Sequence, residues 1–139
     1  MLKKINFQFV LSYLGLFPFL VILLDYFFFK FIDSNIVKDF LIFYSIIIFV
    51  FVGAVNWNLK KNISLIIVFI GFMPSLASVV IIIMFLYSYE VVNYLIVLFF
   101  IQLILDSFIY REKNSKIVFY QLRIPLTFIV IFYLILIQF

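Results

Sequence analysis

The 139-residue chain has no cysteine and no histidine, and it has only three glycines, three prolines and 12% charged residues. Without cysteine there can be no disulfide, thiolate nucleophile, iron–sulfur ligation or cysteine zinc site, and redox compartment cannot be read from cysteine usage. Without histidine the chain also lacks the commonest metal ligand, haem ligand and general base. Three glycines leave no GxGxxG fingerprint and no P-loop. Of the six acidic residues, Asp33, Asp39, Glu90 and Glu112 fall in or beside polar segments. Asp25 and Asp106 lie within apolar runs, near opposite ends of them, so no paired-carboxylate acid/base site can be assembled. No catalytic residue, metal site or cofactor is expected, and the chain reads as a non-enzyme.

What is abundant is apolar. Hydrophobic residues make up 69% of the chain and aromatics 23%, well above the roughly 45 to 50% apolar share of a soluble domain. They arrive in runs of about 20, the length that crosses a hydrocarbon core of about 30 Å at 1.5 Å per residue. The runs predict five spans, at 7–29, 40–59, 63–86, 91–110 and 118–138, joined by KFIDSNIVKD, KKN, YSYE and REKNSK. Backbone polar groups in lipid must be paired within the segment, and the runs are apolar on every side. They therefore predict helices, not strands of a barrel, which would alternate. Connections this short make successive helices antiparallel neighbours. The predicted fold is all-α: one membrane domain over 1–139, a polytopic bundle of five transmembrane helices.

The N-terminal MLKKINFQFVLSYLGLFPF opens with two lysines before an apolar run, as a secretory signal does. The run is longer than a signal core and no small-x-small site follows it, so an uncleaved first helix is expected. Five spans place Lys3, Lys4, Lys60, Lys61, Arg111, Lys113 and Lys116 on one side, against Lys30 and Lys38 on the other. That imbalance predicts the N-terminus in the cytoplasm and the C-terminus outside. The net charge of +4 then reflects topology and contact with anionic lipid, and calls for no nucleic acid. The expected partners are the bilayer and other membrane proteins or further copies of the chain.

Two charges stand out because they lie inside apolar runs on either side of REKNSK. Asp106 precedes Arg111 by five residues and Arg123 follows Lys116 by seven, so both lie about 7.5 to 10.5 Å inside the same boundary. Their helices would form a hairpin, which makes an ion pair available against a burial cost of roughly 2.5 to 3.5 kcal/mol per charge at a helix centre. The alternative is that Arg123 snorkels to the headgroups while Asp106 flanks the helix end.

The neighbours favour the pair. Gln102, Asp106 and Tyr110 recur at i, i+4, i+8, and Tyr120, Arg123 and Thr127 at i, i+3, i+7, each set on one helical face. Pro125 lacks an N–H and so frees the carbonyl of Gln121 as an acceptor at this depth. Small or polar stripes mark the other runs as well: Gln8, Ser12 and Gly15 ahead of Pro18, Gly53 with Asn56, and Gly71, Ser75 and Ser78 around Pro74. Such stripes are where helices approach closely in lipid. The predicted polar cluster is Asp106, Arg123, Asn56, Gln102, Tyr120 and Thr127, with packing positions at Gly15, Pro18, Gly53, Pro74, Ser75 and Pro125. Trp57 reads as an interfacial anchor and Asp25 as a solvated residue near the outer end of the first span.

The ordered set YLGLFPF (13–19), Tyr44, FVGAVNW (51–57), MPSL (73–76), Asp106 and YQLRIPLT (120–127) resembles the uncharacterised family of small polytopic membrane proteins that includes eukaryotic transmembrane protein 69. In that family a glycine and a histidine precede the tryptophan of the second motif, where this chain has Ala54 and Asn56. Its tryptophans after PSL and before the last tyrosine are Val79 and Phe119 here. The resemblance implies a bacterial inner-membrane or organellar inner-membrane location and supplies no activity. Two functions stay open: a non-enzymatic scaffold or assembly partner, and a small transporter or channel component that uses the Asp106–Arg123 pair.

Overall fold

The computed structural model describes residues 7–55, 64–110, 116 and 119–138. Every element among them is helical. In chain order they are α1 (Phe7–Leu14), α2 (Phe17–Leu24), a π-helical turn (Asp25–Phe29), α3 (Ser34–Ala54), α4 (Leu65–Leu86), α5 (Val92–Ile109), a second π-helical turn (Phe119–Arg123) and α6 (Ile124–Leu136). Five helical segments, Ser12–Phe29, Ser34–Ala54, Leu65–Leu86, Val92–Ile109 and Phe119–Leu136, are long and apolar enough to cross a membrane. Large apolar side chains cover the outside, Phe31 at 85% and Leu65 at 83% exposure among them. An aqueous surface does not carry so much contiguous apolar area. The molecule is a membrane-embedded helical bundle.

At its centre is α3. Of its apolar window 44% is buried inside the bundle, against 22 to 28% for the other four segments. Its inner face, Val37, Leu41, Ser45, Phe49, Val52 and Gly53, recurs at helical spacing and is buried throughout. The helix packs on α2, α4, α5 and α6, while α5 and α6 form their own hairpin. Ring contacts fill the middle: the fully buried Phe19 stacks on Tyr133 at 5.1 Å and meets Tyr44 edge-on at 5.0 Å, and Phe49 meets Phe99 at 5.2 Å. The α4 face turned to α3 is small, with Gly71, Pro74 and Ser78 buried. Gly53 is a point of close approach between α3 and α4. A Cβ there would lie 2.5 Å from Pro74 Cγ and 2.8 Å from the Gly71 carbonyl oxygen, so only glycine lets the helices come this near.

Three features differ from the sequence reading. The first segment is broken at Gly15–Leu16, because Pro18 has no N–H to continue the ladder and serves instead as the second residue of a new helix. α3 begins at Ser34, six residues before the expected start. Asp33 caps it by accepting from Asn35 N at 2.8 Å, so SNIVKD forms the opening turns of the helix, exposed apart from the buried Val37 and half-buried Lys38, and is not a loop. The third departure is Asp25, which is buried and not solvated. Its carboxylate accepts the amides of Phe31 (3.2 Å) and Ile32 (3.1 Å), and its own carbonyl accepts Lys30 N at 2.6 Å, closing the π turn on a left-handed Lys30 (φ 53°).

Candidate functional site

Arg123 ends the π turn that precedes α6, and Pro125 explains why the turn lies there. Proline cannot donate to the carbonyl of Gln121, so the hydrogen-bond ladder has to be rearranged at this level, and a π turn is one such rearrangement. The Gln121 carbonyl instead accepts the hydroxyl of Tyr13, from the end of α1. A parallel arrangement holds the break in the first segment, where Tyr44 of α3 donates its hydroxyl to the Gly15 carbonyl at 2.6 Å. Two tyrosines thus satisfy backbone carbonyls at proline-disturbed positions, where an open acceptor in lipid would be costly.

The turn delivers the Arg123 side chain to the bundle interior, where it is 4% exposed beside Asp106 at 1%. Its Nε lies 3.6 Å from Asp106 Oδ2, an ion-pair distance longer than a hydrogen bond. Nη2 donates to the Val52 carbonyl oxygen at 2.9 Å and to the Tyr110 hydroxyl at 3.3 Å. The guanidinium carbon is 5.7 Å from the centroid of the Tyr110 ring, within cation–π range. Gln102, one turn before Asp106 on the same face of α5, donates Nε2 to Asp106 Oδ1 at 2.9 Å. Thr127, one turn beyond Arg123, is buried next in the stripe.

Val52 sits in the last turn of α3, where carbonyls run out of intrahelical donors and the helix dipole presents its negative end. A buried cation there is favoured twice, by the carboxylate and by the helix terminus. The result is one charged junction that ties α3, α5 and α6 together.

Of the other residues singled out in the sequence, Tyr120 stays outside the junction at 64% exposure. Its i, i+3 relation to Arg123 presumes α-helical winding, whereas residues 119–123 are wound as a π turn, which rotates one side chain away from the other. Tyr110 supplies the aromatic hydroxyl there. Asn56 and Trp57 lie outside the described residues, as does the side chain of Gln8. Gly15 is the turn residue held by Tyr44, Pro18 and Pro125 occupy the second positions of α2 and α6, and Pro74 is buried within α4. Ser75 is half-buried, while Ser78 is buried and donates to the Pro74 carbonyl at 2.7 Å. Val52 had no signal in the sequence, because it takes part through its backbone.

No group of three or more histidine, cysteine or acidic side chains suited to a metal occurs among the described residues. The junction offers a carboxylate, an amide, a hydroxyl and a guanidinium that are engaged with one another. Such a set can hold helices in register or exchange partners.

The chain belongs to the family described as protein of unknown function (DUF3429), whose family model matches residues 6–139. No curated protein and no solved structure matches it.

Proposed function

We propose that this chain is a non-enzymatic scaffold or assembly partner that crosses its membrane five times with the N-terminus in the cytoplasm. One observation carries the reading: the two intramembrane charges are buried against each other and against the α3 terminus, within hydrogen-bond reach of Gln102, Val52 and Tyr110. Groups so engaged fix the packing of the helices that carry them. A partner would then meet a bundle of defined shape. The membrane is the bacterial inner membrane or, if the chain is eukaryotic, the inner membrane of an organelle, in keeping with the motif resemblance to transmembrane protein 69. The test is purification of the whole chain from native membranes in mild detergent, with the bound proteins identified. A stoichiometric membrane partner retained by the native chain and lost from Arg123→Gln supports the scaffold; recovery of the chain alone would overturn it.

A second reading, a small transporter or channel component, draws on the π-helical turn that ends on Arg123. Such turns recur at functional sites, and intramembrane charges often mark ion or substrate paths. Vesicles holding the purified chain would then pass a proton or small ion, and Asp106→Asn, compared at an equal amount of folded protein, would stop the flux.

A further inference from the structure

Two grooves follow one another along the seam between the first and last helical segments. The longer-walled one, about 710 Å³, runs between Leu16, Phe17 and Leu20 on one side and Ile129, Phe132 and Tyr133 on the other. The second, about 690 Å³, lies around Tyr26, Phe27, Lys30, Ile32, Ser34 and Leu136. Both are shallow and open along the outer surface of the bundle. Leu136 is one helical turn beyond Phe132 and Tyr133 on α6, so the second groove continues the first toward the end of the bundle. Behind the wall, Phe19 stacks on Tyr133 at 5.1 Å and joins the two segments.

The polarity along this path is one-sided. Its long part is apolar with tyrosine hydroxyls at the edges, and an ammonium appears only at the far end, on Lys30. That lysine is held in a left-handed conformation (φ 53°), which side chains rarely adopt. The neighbouring carboxylates have other acceptor duties: Asp25 takes the amides of Phe31 and Ile32, and Asp33 takes that of Asn35. Among the described residues no carboxylate lies within ion-pair distance of Lys30. An exposed lysine with no carboxylate partner among the described residues thus ends the apolar track, next to the last residue of the first apolar segment.

The geometry points to a binding site for one phospholipid of net negative charge, its phosphate against Lys30 and Ser34 and one acyl chain along the seam. Charge complementarity selects this occupant. The ammonium of a zwitterionic headgroup would meet the like charge of Lys30, and a protein helix would need a carboxylate at this height to do as well.

The test uses the full chain in mild detergent with phosphatidylglycerol bearing a photoactivatable acyl chain, and phosphatidylcholine with the same chain as the comparison. Phosphatidylglycerol is expected to label peptides carrying Leu20 or Phe132 in preference to those carrying Val79 and Ile83 on the outer face of α4. Lys30→Asn, which suits a left-handed position, should lower that labelling about fivefold, the factor one lysine contributes near an anionic lipid surface. Lys30→Arg should retain it. Leu20→Trp, which fills the track and leaves the charge alone, should lower labelling by both lipids. Glycerol phosphate without acyl chains should compete poorly; efficient competition would reduce the site to a free-phosphate site and overturn the acyl-chain assignment. Even labelling of the seam and α4, no change in Lys30→Asn, or crosslinks joining the seam to a protein in place of lipid would each overturn the proposal.

Discussion

Arg123 donates to the carbonyl oxygen of Val52 at 2.9 Å across 71 residues of sequence, and this bond changes what the ion pair with Asp106 is. A carboxylate and a guanidinium on a helical hairpin hold two neighbours that the short connection already holds. By reaching the last turn of α3, Arg123 adds the central helix, which no local connection ties to α6.

The two members of the pair are therefore unequal. Asp106→Asn removes the counter-charge and leaves the guanidinium with Val52 and Tyr110. Arg123→Gln strands the buried carboxylate and also takes the cation from the helix terminus. Breaking a buried pair from one side costs about 3 to 5 kcal/mol, and Arg123→Gln is expected at the upper end. The double mutant should recover part of the loss, with a coupling of about 0.5 to 3 kcal/mol. Thermal unfolding in detergent measures all four forms, and strictly additive effects would show that the two side chains do not act on each other.

Topology is checked by reporter fusions. Those after Lys61 and Lys116 should read cytoplasmic, and those at Asn35 and the C-terminus external. An inverted pattern, or one that needs an even number of crossings, would remove the orientation proposed above.

The Gly53 crossing can be tested by volume. Gly53→Ala puts a methyl group 2.5 Å from Pro74 Cγ, and relief requires α3 and α4 to separate. The expected cost is about 1 to 3 kcal/mol, typical of overpacking, read as a lower melting temperature. Pro74→Ala in the same chain removes the nearest atom and should return part of it. A Gly53→Ala protein as stable as the native one would mean that the helices do not meet this closely.

How much of this was readable beforehand depends on whether side chains or backbone carry the contact. Run length alone predicts five long apolar helices, because the bilayer sets helix length whatever the detailed packing. Counting residues from REKNSK brings Asp106 and Arg123 to one depth, and their side chains lie 3.6 Å apart. Val52 was out of reach, since a carbonyl oxygen has no letter in a sequence. Helical spacing puts Tyr120 on the face of Arg123, but that spacing presumes an unbroken ladder, and the π turn before Pro125 breaks it. The early start of α3 could have been read, because Asp33 before Ser-Asn is a capping signal that the polarity of the segment obscured. The burial of Asp25 could not, as it depends on the chain turning back at Lys30 to offer two amides.

The bond between Tyr13 and the Gln121 carbonyl allows a test in which one substitution cancels the effect of another. Gln121 needs an outside donor because residue 125 is proline. Tyr13→Phe keeps the ring and removes the donor to the Gln121 carbonyl, at a cost of about 0.5 to 1.5 kcal/mol, that of a typical hydrogen bond. Pro125→Ala restores an N–H that can donate to Gln121 in an ordinary helical ladder. In that background the tyrosine hydroxyl becomes dispensable, so Tyr13→Phe should cost much less than in the native chain. The cycle is read from melting temperatures of the four proteins in one detergent, with Tyr44→Phe as the control, because Tyr44 serves Gly15 and should be indifferent to residue 125. Equal losses from Tyr13→Phe in both backgrounds would mean that proline does not create the need for this hydroxyl, and the link drawn here between Pro125 and the first helical segment would fail.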